Sequence, residues 1–133
     1  MKILIDHIGW ITNDPNKFEA FWVDILGFNK IWESWLTPQL ARTLFGVKCG
    51  AKCLRYQKDD IVIEIHQFNR KVKEHANHFV RFGLNHVALF VPSRKEFLAQ
   101  YKFETHIFHN PKGWDNIFIR DFEGNWIELK EKL

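Results

Sequence analysis

Apolar positions along the chain switch between two periods. Residues 3–12 are mostly β-branched, aromatic or aliphatic and predict a strand. Asn13-Asp14-Pro15 then reads as a helix start, with Asp14 as N-cap and Pro15 at the first helical position. Phe18, Phe21, Trp22 and Ile25 recur at i, i+3, i+4 and i+7, which makes one apolar helix face, and Gly27 supplies its stop. Residues 28–36 resemble a second strand, and residues 38–45 a short helix ending at Gly46. Residues 51–56 and 61–68 read as a hairpin that turns through Lys58-Asp59-Asp60. In the polar stretch that follows, Phe68, Val72, Ala76, Phe79 and Val80 fall at near-helical spacing and predict a linking helix.

The pattern then begins again. Residues 84–91 read as a strand, Ser93 and Glu96 fit a capping box, and residues 103–109, 116–121 and 126–130 read as three more strands. The repetition reaches individual residues. Asp6-His7-Ile8-Gly9-Trp10-Ile11 aligns with Asn85-His86-Val87-Ala88-Leu89-Phe90 at an offset of 79, and Val62-Ile63-Glu64-Ile65 with Trp126-Ile127-Glu128-Leu129 at 64. The second copy is therefore 15 residues shorter, most of which the segment 37–50 explains. The expected architecture is α+β, two strand-helix-three-strand (βαβββ) modules in one domain. Module one spans about 1–68, the linker about 69–82 and module two about 83–133.

Composition narrows the function classes. The chain has 133 residues, 46% apolar and 26% charged, ordinary proportions for a soluble globular domain. A net charge of +3 with scattered basic residues gives no polyanion-binding face, so nucleic acid is not an expected partner. No stretch approaches the ~20 apolar residues of a membrane span, and the short apolar start breaks at Asp6-His7. A cytoplasmic protein is expected, with Cys49 and Cys53 as reduced thiols. Aromatic residues make up 16% of the chain, enough for a solid core and for some cavity walls.

Each copy places a His in its first strand and a Glu in its last. A single such residue usually faces solvent; recurrence of the pair in both copies sets these four apart. His7, Glu64, His86 and Glu128 would supply a pseudo-symmetric set of N and O ligands for a divalent ion. His66 shares the strand face of Glu64, and Trp126 that of Glu128, so both are candidates to line a substrate pocket. His75 and His78 read as solvated, and His106 and His109 have no partner visible in the sequence.

The runs Ile5-Asp6-His7-Ile8-Gly9, Phe21-Trp22 with Leu26-Gly27-Phe28, Gly83-Leu84-Asn85-His86-Val87-Ala88, and Asp121-Phe122-Glu123-Gly124-Asn125-Trp126-Ile127-Glu128-Leu129 cover nearly the whole chain. Together they resemble the vicinal oxygen chelate superfamily, the group of glyoxalases, bleomycin-resistance proteins and extradiol dioxygenases. The resemblance implies paired modules whose mixed sheet curls around one divalent ion, and sites often built in a homodimer. It implies His7, Glu64, His86 and Glu128 as ligands, a set similar to that of glyoxalase I. Ile11 stands where glutathione-using bacterial enzymes often have Arg, and Phe122 where Pro is usual.

The expected function is thus a divalent-metal-dependent lyase or isomerase that abstracts a proton next to a metal-bound carbonyl of a small molecule. Glu128 is the base by resemblance, while the symmetry of the repeat does not distinguish it from Glu64. Ni, Zn, Co, Mn and Fe all suit such ligands. The competing readings are a protein that sequesters an aromatic, drug-like molecule, and another enzyme of the superfamily such as an epimerase or dioxygenase.

Overall fold

Strand pairing separates the chain into two four-stranded mixed sheets. The computed structural model describes residues 1–74 and 83–132, and its contacts divide the chain into two units, Met1–Glu74 and His75–Leu133. The first contains β1 (Ile8–Ile11), α1 (Pro15–Trp22), β2 (Asn29–Leu36), α2 (Pro38–Phe45), β3 (Ala51–Lys58) and β4 (Ile61–Phe68). The second contains β5 (His86–Val91), α3 (Arg94–Gln100), β6 (Thr105–His109), β7 (Asp115–Arg120) and β8 (Trp126–Glu131). Sheet orders are β1-β4-β3-β2 and β5-β8-β7-β6. In each, the first and last strands of the unit are parallel neighbours and the other pairs are antiparallel. The strand-helix-three-strand unit is built twice, and α2 is an insertion in the first copy.

The local signals act as their chemistry requires. Asp14 Oδ1 accepts from the N–H groups of Asn16 and Lys17, and Ser93 Oγ from that of Glu96. Gly46 closes α2 at φ +70°, where a side chain would be strained. The hairpin between β3 and β4 turns on Asp59 and Asp60 alone, and Asp59 takes the positive φ that such two-residue loops need.

One face of the first sheet carries Leu54, Tyr56, Ile63 and Ile65, all at most 1% exposed. Trp10, Phe18 and Trp22 pack edge-on or stacked on this side, and Phe18 also meets Tyr56. Burying these rings against the sheet contributes to module one's apolar stabilisation. The opposite face is left for polar chemistry.

Two expectations change. β1 begins at Ile8 rather than at residue 3. Ile8 pairs with Ile63, so residues before Asp6 have no counterpart in β4, which starts at Ile61 after the turn. His7 therefore immediately precedes its strand and His86 opens β5; neither is mid-strand. The linking helix is absent from residues 69–74. Asn13 instead ties this stretch to module one through two side-chain bonds of 2.8 Å to the backbone of Val72. The rest of that prediction, with His75 and His78, lies outside the described residues.

Candidate metal centre

Register places the candidate ligands. Gly9 lies opposite Glu64, and Ala88 opposite Glu128. Both small residues leave room over the carboxylate, and a Cβ added to Gly9 would meet nothing within 4 Å. His7 Nε2 stands 3.7 Å from Glu64 Oε1, and His86 Nε2 stands 3.5 Å from Glu128 Oε2. Two donors that each bind one ion at about 2.0–2.2 Å stand roughly 3–4 Å apart, so the spacing within each pair suits two ligands of one divalent ion.

The other ring nitrogens support that fit. His7 Nδ1 is 2.6 Å from Asp6 Oδ2, and His86 Nδ1 is 2.8 Å from Asn85 Oδ1. Oxygen acceptors keep the proton on Nδ1, so in both modules the lone pair is on Nε2, the atom that faces the glutamate. The bond from His7 also holds the Asp6 carboxyl below its usual pKa range. Asp6 and Asn85 are separated by the same offset as their histidines. Sequence reading missed both roles, although both residues stood inside the aligned runs.

The two glutamates are each 8% exposed but are partnered differently. Arg55 Nε donates to Glu64 Oε2 at 2.5 Å, and His66 Nε2 is 3.2 Å from Glu64 Oε1. His66 is buried beneath the ring of Phe45 from α2. Burial pushes its pKa down, with the Glu64 carboxylate opposing. Cys53 pairs with His66 across β3 and β4. Its thiol is pushed up to about 11, mainly by burial and then by Glu64, with Arg55 opposing. Cys53, Glu64 and His66 each present a ligand atom within 4.8 Å of the others.

In module two, Asn116 Nδ2 donates to Glu128 Oε1 at 3.3 Å and Lys130 Nζ lies 3.5 Å from the same oxygen. Phe118, opposite Glu128, meets the His86 ring edge-on at 5.2 Å between centroids. Trp126 is buried beside His106, with the Arg120 guanidinium 3.8 Å from its ring centre. The turn before β8 fixes this strand's start. Asp121 Oδ1 accepts from the N–H groups of Glu123 and Asn125, and Gly124 adopts φ +87°. The remaining histidines among the described residues have partners: His106 Nε2 is 3.0 Å from Glu104, and His109 Nδ1 is 2.7 Å from Asp115.

Among the described residues no helix is long and apolar enough to cross a membrane. No curated protein matches the sequence. Solved structures resemble the whole chain. A glyoxalase family protein from Bacillus cereus matches with a TM-score of 0.79 at 16% identity, over 100% of this chain and 97% of that one. A glyoxalase family protein from Enterococcus faecalis gives 0.72 at 21% identity, over 95% of each chain. The fosfomycin resistance protein FosX from Listeria monocytogenes, complexed with Mn(II) and 1S,2S-dihydroxypropylphosphonic acid, gives 0.60 at 22% identity, over 100% and 95%. At these identities the likeness establishes the fold. The model of one family matches residues 4–129, nearly the full length. By that match, this chain belongs to the Glyoxalase/Bleomycin resistance protein/Dioxygenase superfamily.

Proposed function

We propose that the protein is a divalent-metal-dependent lyase or isomerase that removes a proton from a carbon next to a carbonyl of a small-molecule substrate. His7, Glu64, His86 and Glu128 are its metal ligands, one His/Glu pair from each module. The observation that carries this reading is the repeated geometry: an oxygen beside Nδ1, and a buried glutamate 3.5–3.7 Å from Nε2, at matching positions of both modules. A divalent ion held there supplies a Lewis acid that polarises a substrate oxygen.

Glu128 is the base in this reading. Both carboxylates are buried, but a proton on Glu64 would have to displace its charge-assisted bond from Arg55. Glu128 gives up only a long amide bond from Asn116 and the more distant Lys130. The unequal surroundings thus separate two residues that the repeat makes equivalent. Two free cysteines fit a cytoplasmic location. A homodimer belongs to the same reading, supported by β2, an edge strand exposed along most of its length.

The test is solvent exchange. Protein loaded in turn with Mn(II), Fe(II), Co(II), Ni(II) or Zn(II) is incubated in deuterated water with α-hydroxycarbonyl or hemithioacetal compounds. Metal-dependent exchange of the C–H proton is expected, and Glu128→Gln should lower it by about 100-fold or more with metal in excess. Exchange at the parent rate in Glu128→Gln rejects it as base. A second reading, an enzyme that opens a phosphonate epoxide, is favoured by the cations Arg55 and Lys130 beside the two carboxylates. Consumption of fosfomycin without any C–H exchange would select it.

A further inference from the structure

Module one brings together more donors than the four-ligand reading uses. Cys53, Glu64 and His66 lie on one face of a single sheet, in adjacent strands paired Cys53 to His66 and Arg55 to Glu64. Their ligand atoms are within 4.8 Å of one another, and Cys53 is only 3% exposed. His66 is oriented for ligation by a bond from its ring to the backbone of Trp10, while Nε2 faces Glu64. Arg55 occupies Glu64 Oε2, so the oxygen toward this cluster is Oε1. That oxygen is 3.2 Å from His66 Nε2 and 3.7 Å from His7 Nε2. As it stands, Glu64 is nearer the buried cluster than its expected partner.

We infer that Cys53, Glu64 and His66 form a second seat for a divalent ion, within module one alone, that selects thiophilic metals such as Zn(II) and Co(II). Binding exchanges the S–H bond of Cys53 for a sulfur–metal bond and releases one proton to solvent, with no change of oxidation state. Three protein donors leave a position open for water or a substrate atom, the pattern of reactive zinc sites. Thiolate and imidazole favour Zn(II) and Co(II), whereas Mn(II) prefers carboxylate and imidazole alone. The inference rests on the proposed function only in sharing Glu64. Because both seats need that carboxylate, they exclude each other, and the metal supplied decides which one fills. Module two has no counterpart: Asn116 and Lys130 stand where module one has Cys53 and His66.

The deciding experiment loads the full chain with Co(II) and records its absorption spectrum, in the parent and in Cys53→Ser, Cys53→Ala, Cys49→Ser and His86→Ala. A sulfur-to-cobalt charge-transfer band in the near ultraviolet is expected in the parent, in Cys49→Ser and in His86→Ala, and not in either Cys53 variant. Cys53→Ser should weaken Zn(II) binding about tenfold or more relative to Mn(II). Zinc X-ray absorption of the parent supplies a check that needs no variant, through a sulfur neighbour at about 2.3 Å. Co(II) bound without the band, a band that survives in the Cys53 variants, or zinc without sulfur overturns this seat and leaves the four-ligand site standing. A band lost in His86→Ala also overturns a seat confined to module one. Protein that takes up neither Co(II) nor Zn(II) overturns this seat, whatever other metal it binds.

Discussion

Glu64 and Glu128 hold the same place in their modules, one opposite Gly9 and the other opposite Ala88, and each faces a histidine at the start of the neighbouring parallel strand, His7 just before β1 and His86 as the first residue of β5. What surrounds them differs. Glu64 meets a guanidinium, a second imidazole and a thiol; Glu128 meets an amide and an ammonium, and Phe118 stands opposite it on β7. The repeat thus fixes backbone register and the His/Glu pair, while the adjoining antiparallel strand sets the character of each half. The insertion adds to the contrast. α2 carries Phe45 onto His66, whereas module two has no such helix and Lys130 is exposed.

Exchanging the residues opposite the glutamates breaks this comparison most directly. Phe118→Arg would set a guanidinium beside Glu128, as Arg55 stands beside Glu64. Proton exchange should fall about 100-fold while the far-ultraviolet circular dichroism is kept. The reverse change, Arg55→Phe, removes a cation beside Glu64 and should tighten Mn(II) binding by about tenfold or more, because like charges this close repel by several kcal/mol even at an effective dielectric constant near 20. Unchanged exchange in Phe118→Arg would mean that Glu128 is not the reacting carboxylate.

The insertion is tested by Phe45→Ala. Its ring is 44% exposed but covers His66 and meets Phe68 edge-on. The expected loss in urea unfolding is about 1 kcal/mol, below the 3–5 kcal/mol of a fully buried Phe. No loss would show that α2 does not help shield His66.

The smallest effect concerns acid stability. Tyr56 donates to Glu19 Oε1 at 2.6 Å, and this bond, more than the nearby Lys30, lowers the Glu19 pKa from its ordinary 4.5. A lowered carboxyl pKa stabilises the fold above 4.5 and loses that contribution as pH falls through the folded value. Leu98 and Ile119 stand at the equivalent positions of module two, which has no such bond. Stability of Glu19→Gln should therefore fall less than that of the parent between about pH 5 and pH 3. Parallel curves would remove Glu19 from the account.

Much of this was legible in the sequence because repeats and caps are local signals. The offsets 79 and 64 relate the paired residues of both sheets, and Asp14, Ser93, Gly46 and Asp121 mark their own turns. The role of Arg55 and the Cys53–His66 pairing were also encoded, though not read. A hairpin closed by Asp59 and Asp60 alone pairs Lys58 with Ile61, and counting back gives Arg55 with Glu64 and Cys53 with His66. The late start of β1 was not legible, since residues 3–5 have strand propensity and lack only a partner to pair with.

The proposed function has His7, Glu64, His86 and Glu128 as ligands of a single ion. Protein reconstituted in turn with Mn(II), Fe(II), Co(II), Ni(II) and Zn(II), freed of loose metal and analysed by mass spectrometry, tests it most directly. One ion per set of four ligands is expected for at least one of these metals, lost from both Glu64→Gln and His86→Ala. No stoichiometric metal with any of the five, or full retention of every bound metal by His86→Ala, would contradict it.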